Sequence, residues 1–258
     1  MKKFISALKS NTAIYVYGIF FVFLVWWIIS LSQGRGNVVF PNPIETFAKT
    51  GELLSAPYIY KCIGWTLLRT LIGFGFSFIV ALFLGVLSGY CPKAYTFFKP
   101  LVIVLKSAPT AAFIFLFLIL VGSRYAAIFI VFLVSFPILY ESIVGGLNSL
   151  NQEIKDALRI DTGNFFDKFF RVRLPLSFPY IAVGILSSLA LSFKTSIMAE
   201  IISGNTDYGL GAAIRAYRNM DPTDLTPIFS VTLIAIVIVL IIDLSTMALK
   251  YFFIKKQY

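Results

Sequence analysis

Residues 67–90 have the sequence LLRTLIGFGFSFIVALFLGVLSGY, 24 residues that carry a single charge, Arg69. About 20 mostly apolar residues are enough for a helix to cross the hydrocarbon core of a bilayer. Five other stretches have the same character, so the sequence predicts an all-α membrane protein with about six transmembrane helices. The predicted spans are Ala13–Leu31, Trp65–Tyr90, Leu101–Val121, Tyr125–Val144, Leu176–Ile202 and Leu225–Leu249.

The composition supports a membrane location. Of the 258 residues, 59% are hydrophobic and 13% are charged, whereas a soluble domain is nearer half apolar and a quarter charged. The surplus of apolar residues needs lipid as a partner. With no histidine and only Cys62 and Cys91, no Cys/His metal cluster can form, and we expect neither a metal site nor a disulfide. The first apolar run is too long for a signal peptide and predicts a retained anchor.

The net charge of +10 is explained by membrane orientation and does not indicate a nucleic-acid partner, because the basic residues lie in short segments between apolar runs. If the N-terminus is inside, 13 basic residues fall in inner segments and 6 in outer segments. The inner set is Lys2, Lys3, Lys9, Lys93, Lys99, Lys155, Arg159, Lys168, Arg171, Arg173, Lys250, Lys255 and Lys256. The positive-inside rule therefore predicts a multi-pass protein of the plasma membrane with both termini in the cytoplasm.

Two outer segments differ in character. Within residues 33–64, the run FPNPIETF at 40–47 places a proline and then Glu45 at a typical helix start, which predicts a short helix on the outer surface. Residues 203–224 are rich in Gly, Asn and Asp, which predicts an irregular loop.

The single long inner segment, residues 145–180, has the sequence GGLNSLNQEIKDALRIDTGNFFDKFFRVRLPLSFPY. Ser149 followed by Gln152 predicts a capping box, and apolar residues then recur at helical spacing. Gly163 suits the end of this helix, and Asn164 can cap a second short helix that Leu174-Pro175 ends. The helix can lie on headgroups, on its own bundle or on another protein. Its mixed charges favour a protein partner.

Several motifs carry a resemblance to a known family. Asp156-Ala157-Leu158, with Leu174-Pro175 ending the loop, is similar to the cytoplasmic signature of binding-protein-dependent ABC importer permeases. Asp156 replaces the family's Glu. FPNPIETF, residues 67–90, Ala199-Glu200 and Gly209-Leu210-Gly211 resemble segments of the nitrate/sulfonate/taurine group.

The resemblance implies a type I ABC importer permease-like bundle that pairs with a second permease copy, a cytoplasmic ABC ATPase subunit and an external substrate-binding lipoprotein. The solute would be a nitrate-, sulfonate- or taurine-like anion, or a vitamin or vitamin precursor. ATP and Mg²⁺ would be bound by the ATPase, and no cofactor is expected in this chain. The expected divisions are an anchor and outer segment at 1–60, a permease core at 61–250 with its coupling loop at 146–175, and a tail at 251–258.

The resemblance also assigns residues. Leu150, Ile154, Ala157 and Leu158 would fill a cleft on the ATPase, Asp156 and Arg159 would make polar contacts, and Gly163 would form a turn. The full set for the ATPase-coupling loop is Leu150, Ile154, Asp156, Ala157, Leu158, Arg159, Gly163, Leu174 and Pro175.

Charged residues within or near the predicted spans need an explanation, because each is costly to bury in a membrane. The candidates for a translocation path are Lys194, Lys106 and Glu200. Arg69 and Asp243 are also at or near membrane depth. Snorkelling to water, internal ion pairs and dimer contacts are the alternatives. Four glycines of the second span, Gly73, Gly75, Gly85 and Gly89, predict close helix packing.

The main alternative function is a secondary transporter or channel that works without an ATPase. A membrane enzyme is less favoured, since the deep spans offer neither histidine nor a carboxylate pair, and no catalytic residue is assigned. The chain has no Gly-x-x-x-x-Gly-Lys-Ser/Thr loop, so a coupled importer would need a separate ATPase subunit.

Overall fold

The computed structural model describes residues 11–32, 40–160, 163–204 and 207–255, and every regular element within them is helical. The helices are α1 Asn11–Ser32, α2 Pro43–Ser55, α3 Pro57–Tyr90, α4 Pro92–Ser107, α5 Thr110–Val121, α6 Ser123–Asn148, α7 Gln152–Ile160, α8 Phe165–Lys168, α9 Leu174–Ser203, α10 Leu210–Met220 and α11 Thr226–Lys255. A π-helical turn, Phe169–Arg173, joins α8 to α9. The all-α fold class is confirmed.

Within these described residues, four helices are long and apolar enough to cross a membrane. They are Pro57–Tyr90, Ser123–Asn148, Phe169–Ser203 and Thr226–Ser245. Two further helices, Pro92–Ser107 and Thr110–Val121, form a bent pair, and the number of candidate spans is five if this pair is one span. Val16–Leu31 is a shorter apolar helix. These elements correspond to the six predicted spans, although their lengths and shapes differ from the prediction.

The third predicted span is not one straight helix. Helices α4 and α5 meet at 99°, and the break falls at Ala108, which has an extended backbone with φ −74° and ψ 138°. Proline disfavours the helical conformation in the residue before it, and Pro109 follows. A proline alone does not break every helix here, because Pro137 lies inside the continuous α6.

The described parts of residues 1–60 and 213–234 form one compact unit. Asn42 caps α2, its side-chain oxygen accepting the N–H of Ile44 at 2.9 Å, and Pro43 occupies the first helical turn. The helix start predicted from FPNPIETF is thus confirmed. The Trp26 indole N–H donates to the Pro41 carbonyl at 3.0 Å, and the Ser230 hydroxyl donates to the Thr46 carbonyl at 3.0 Å.

The turn between α10 and α11 is closed by an acidic side chain. The carboxylate of Asp221 accepts hydrogen bonds from the hydroxyl and backbone N–H of Thr223 at 2.6 and 2.9 Å. These bonds, with a further one from the N–H of Asp224, hold the pKa of Asp221 below its ordinary value, because they stabilise the charged form. The prediction of an irregular loop over 203–224 was wrong, since α10 occupies half of that segment.

The described parts of residues 61–212 and 235–258 form the second unit, in which α6 and α9 pack along each other. The hydroxyls of Ser135 and Ser192 lie 2.6 Å apart, and the Ser177 hydroxyl donates to the Gly146 carbonyl at 3.0 Å. Small residues allow such close contact between membrane helices. The core beside this pair contains Ala81, Val102, Phe136, Leu139, Tyr140, Ile143, Val144, Leu147, Phe169 and Ile181.

Three of the four glycines singled out in the second span make the predicted close contacts. A Cβ added at Gly73 would lie 2.5 Å from the Ile128 carbonyl oxygen, and at Gly85 2.9 Å from Ile143 Cγ2. At Gly89 it would lie 2.6 Å from Leu147 Cδ1. Gly75 has nothing within 4 Å of such an atom. The side of α3 that carries Gly73, Gly85 and Gly89 therefore faces α6, and Gly75 lies outside this side.

We predict that Gly85→Ala lowers the free energy of unfolding by about 1–3 kcal/mol, the usual cost of overpacking a filled contact. Gly75→Ala is the matched control in the same helix and should leave stability unchanged. Thermal unfolding of the purified protein in one detergent measures both. Equal midpoints for the two variants would contradict the packing described for α3 and α6.

Candidate functional site

The predicted inner helix is present as α7, Gln152–Ile160, but its start differs from the prediction. The Ser149 hydroxyl donates to the Gly146 carbonyl at 2.8 Å, and Ser149 ends α6 as its C-cap. The capping box from Ser149 to Gln152 was therefore wrong, because Ser149 is used by the preceding helix. The Gln152 amide instead donates to the Asp156 carboxylate at 3.0 Å, one turn along α7.

The apolar residues of the loop divide between two faces. Leu150, just before α7, is buried with 8% exposure, and Ile154 and Leu158 are half-buried. Ala157 and Ile160 are exposed, Ile160 at 82%. Because Leu150 packs within its own chain, the surface that α7 offers to a partner is centred on Ala157 and Ile160. The sequence assignment had not included Ile160.

The second half of the loop is tied back to α7. The Lys168 ammonium donates to the Leu158 carbonyl at 3.2 Å, so a residue of α8 holds the end of α7. Asp156 is half-buried. The side chain of Arg159 lies outside the described residues. Gly163 is an exposed bend before α8, but residues 161–162 before it are not described. The roles of Arg159 and Gly163 stay predictions.

Leu174-Pro175 was expected to end the second short helix, and the structure differs. The chain runs from α8 through the π turn into α9 without a break, and the N–H of Leu174 donates to the Phe169 carbonyl. Pro175, which has no backbone N–H to donate, is the second residue of α9 and follows the π turn. Helix α8 is thus continuous with the helix that crosses the membrane.

Near the other end of α9, Glu200 is fully buried and bound to Arg69, with 2.7 Å between Glu200 Oε1 and Arg69 Nη1. The same arginine nitrogen donates to the Tyr208 carbonyl at 2.7 Å. The Thr66 hydroxyl donates to Glu200 Oε2 at 2.8 Å, and the N–H of Gly211 donates to that oxygen at 3.1 Å. Glu200 is fully buried and the Arg69 side chain is 9% exposed, so the two residues form the internal ion pair that was one of the alternatives.

Two glycines allow this approach. A Cβ on Gly209, which has φ +146°, would collide with the Glu200 carboxylate, and one on Gly211 would lie 2.5 Å from the Ile197 carbonyl. The N–H of Leu210 donates to the Thr66 hydroxyl at 2.8 Å. The Gly209-Leu210-Gly211 motif therefore brings the backbone onto the buried carboxylate.

The remaining two candidates for the path differ from each other. Lys106 forms an ion pair with Glu141 at 2.7 Å, and both side chains are about half exposed, at 47% and 48%. Lys194 is exposed on α9. The three residues proposed for the path are thus not brought together into one cluster by direct contact.

Comparison with known proteins decides the family. Residues 77–256 match the model of the binding-protein-dependent transport system inner membrane component. The chain belongs to this family. Its function is that of an ABC importer permease, which is a transport component of the inner membrane.

Named relatives agree with the family. The permease is 29% identical over 185 residues to a probable ABC transporter permease protein of Brucella melitensis, covering 71% of this chain and 74% of the relative. It is 28% identical to the nitrate import permease protein NrtB of Synechocystis, covering 73% and 71%. It is 21% identical to the putative aliphatic sulfonates transport permease protein SsuC of Bacillus subtilis, covering 79% and 73%.

A chain of similar fold is present in a solved structure. A chain of the MetNI methionine ABC transporter, in an inward-facing conformation, superposes with a TM-score of 0.65 at 18% identity. The match covers 76% of this chain and 96% of that chain. The type I importer permease bundle predicted from the sequence is therefore confirmed as the fold.

Sequence reasoning missed several residues of these sites. Thr66 and the Tyr208 carbonyl complete the Glu200 network, and Glu141 pairs with Lys106. A usable signal was present, because a permease that buries one charge in a span must supply an opposite charge or donors near it. The partners lie 35 to 134 residues away in sequence, so spacing alone did not identify them.

We predict that Arg69→Met or Glu200→Met alone lowers the free energy of unfolding by about 3–5 kcal/mol, since each leaves an uncompensated buried charge. The double variant should lose less than the sum of the two, because it leaves neither charge behind. Unfolding of the detergent-purified wild type, the two single variants and the double variant measures this double-mutant cycle. Strict additivity would show that the two side chains do not interact.

Proposed function

We propose that two copies of this permease form a homodimer that carries a small solute inward, powered by an ATPase subunit bound at α7 and supplied by an external substrate-binding protein. ATP and Mg²⁺ are bound by the ATPase and not by this chain. Both termini lie in the cytoplasm, as the distribution of basic residues indicates.

The observation that carries the coupling proposal is the exposed apolar surface of α7. Ile160 is 82% exposed, and Ala157 is exposed one turn before it. A single exposed apolar side chain is common on a protein surface. Here, however, it lies on a short helix held from behind by Ile154, Leu158 and the Lys168 bond. A helix that is anchored on one face, and that presents Ala157 and Ile160 beside the exposed Glu153 on the other, fits a groove on a partner.

The connection to α9 supports a mechanical role for this surface. The π turn and Pro175 continue the helix from the loop into the membrane. Force applied to α7 therefore passes through packed side chains and hydrogen bonds into α9, and from α9 into α6. A flexible linker at this place would dissipate such a movement.

The names of the relatives support a class of solute for this permease. Permeases named for nitrate and aliphatic sulfonates, and one named for bicarbonate, all act in the transport of small anions. We therefore place an anion first, ahead of a vitamin or vitamin precursor.

We predict that Ile160→Glu, or Ala157→Glu, reduces co-purification of the ATPase subunit at least tenfold, because a charge is then forced into an apolar contact. Met220→Glu is the matched control. Met220 is 80% exposed and lies on the predicted outer side. Both variants are co-expressed with the ATPase and isolated through a tag on the permease.

Equal recovery of the ATPase with Ile160→Glu and with Met220→Glu would contradict docking through α7. A permease that recovers no ATPase, yet moves solute down an ion gradient in vesicles, would favour the secondary transporter instead.

The orientation has its own test. Green fluorescent protein fused after Tyr258 should fluoresce, because it folds in the cytoplasm. Alkaline phosphatase at the same site should be inactive, because it folds only outside the cytoplasm. Alkaline phosphatase inserted after Met220 should be active. The reverse pattern would place the termini outside.

A further inference from the structure

Three basic side chains, Arg69, Lys106 and Lys194, lie inside the predicted spans, and two of them have a carboxylate partner. Arg69 is paired with Glu200, and Lys106 with Glu141. Among the residues that the structure describes, Lys194 has no ion-pair or hydrogen-bond partner for its ammonium group. Its charge must therefore be balanced by something outside the single chain.

Lys194 lies well inside the predicted fifth span. It is nine residues before Ser203, the last residue of α9, which is about 13 Å at 1.5 Å per residue. The 30 residues of α9 measure about 45 Å at the same rise, which exceeds the hydrocarbon core of about 30 Å. With α9 centred on the core, Lys194 lies between the middle of the core and its outer edge, where a charge is costly unless water or a counter-charge reaches it.

The face of α9 that carries Lys194 is left uncovered by the parts of the chain that the structure describes. Exposed residues recur every three or four positions, the spacing of a single helical face. They are Leu176, Tyr180, Val183, Ser187, Leu191, Lys194, Met198 and Ile201. Apart from Ser187, the Tyr180 hydroxyl and Lys194, this face is apolar, so one cation stands alone among apolar neighbours.

The exposed face of α3 provides the comparison. Its members are Leu68, Leu71, Ile72, Phe76, Ile79, Phe83 and Leu87, and all of them are apolar. That composition suits contact with lipid tails. The Lys194 face does not, because a charge in hydrocarbon is expensive and is tolerated where it faces a bundle interior or a water-filled cavity.

We propose that this face of α9 lines the translocation path and that Lys194 is the residue that selects for an anionic solute within the membrane. The inference rests on the proposed function and deepens it by naming the residue that selects the class of solute. In a homodimer the path would carry two such lysines. The neighbouring apolar side chains strengthen the attraction, because they lower the local dielectric constant.

The hydroxyls of α9 are neutral and do not compete for this role. Ser188, Ser192 and Thr195 donate to carbonyls four residues earlier in their own helix. The Ser196 hydroxyl is buried and has no hydrogen-bond partner among the described residues, but it carries no charge. Selectivity by charge therefore falls to Lys194.

The test measures water access and electrostatic potential beside Lys194. In a Cys62→Ala/Cys91→Ser background, Leu191→Cys and Met198→Cys place a thiol one turn before and after the lysine. Membranes that contain the assembled importer are treated with an anionic sulfonatoethyl and a cationic trimethylammonioethyl methanethiosulfonate. The ratio of the two labelling rates is compared with the ratio for a free thiol.

We expect both thiols to react, with the anionic reagent favoured. Lys194→Met should lower the ratio of anionic to cationic labelling roughly tenfold, the effect of one unit charge at about 7 Å in a partly aqueous path. Lys194→Arg should restore it. Phe83→Cys on the apolar face of α3 is the control and should react with neither reagent.

Two results would overturn the proposal. Absence of labelling at both positions would mean that lipid or the second copy covers this face. A ratio near that of the free thiol, unchanged by Lys194→Met, would mean that the charge is neutralised, for example by a carboxylate of the second copy. Neither result depends on ATPase binding, so a failed docking experiment with Ile160→Glu would leave this one intact.

Discussion

The carboxylate of Glu200 is buried in the second unit, and the groups of its own chain provide its solvation. Thr66, Arg69 and the N–H of Gly211 all donate to it. A buried charge that lacks such partners costs several kcal/mol, on the order of the stability of a whole domain. The N-terminal half of α3, the end of α9 and the first residues of α10 are therefore constrained to meet at this point.

The same rule accounts for several serines of the bundle. In hydrocarbon, a hydroxyl without a water molecule gains most by bonding to protein. Ser135, Ser142 and Ser188 do so by donating to carbonyls of their own helices, which leaves small, satisfied surfaces where α6 and α9 can approach. Ser77 and Ser196 are exceptions, because their hydroxyls are buried without a hydrogen-bond partner among the described residues. Ser135, Ser142 and Ser188 thus serve packing, whereas the exposed lysine of α9 is left for another role.

Apolar run length predicted the helical class and the approximate spans because twenty apolar residues permit few alternatives to a membrane helix. Pro43 and its neighbours likewise identified the start of α2 from local chemistry. Local patterns failed where a group had two possible partners. Ser149 was assigned to the helix that follows it but is used by the helix that precedes it, and α10 was missed because its small residues also suit a loop.

The candidate sites were predictable to different extents. The inner loop was located because its helix is local in sequence, yet exposure of Ile160 depends on how α7 packs, which spacing does not determine. The partners of Glu200 and Lys106 are distant in sequence, and only the fold brings them together. Lys194 was identified from hydropathy alone, while its isolation on an exposed face required knowledge of which side of α9 meets α6.

The π turn at Phe169–Arg173 sets the rotational phase between the cytoplasmic loop and the transmembrane helix. A π turn accommodates one more residue than an α turn, and each residue of an α-helix advances the direction of the side chains by about 100°. Without that additional residue, the faces of α9 would be rotated by roughly a quarter turn relative to α7. The side chains that pack on α6 and those left uncovered would then exchange places in part. One residue of length at the membrane surface therefore determines which side of α9 is turned away from its own bundle.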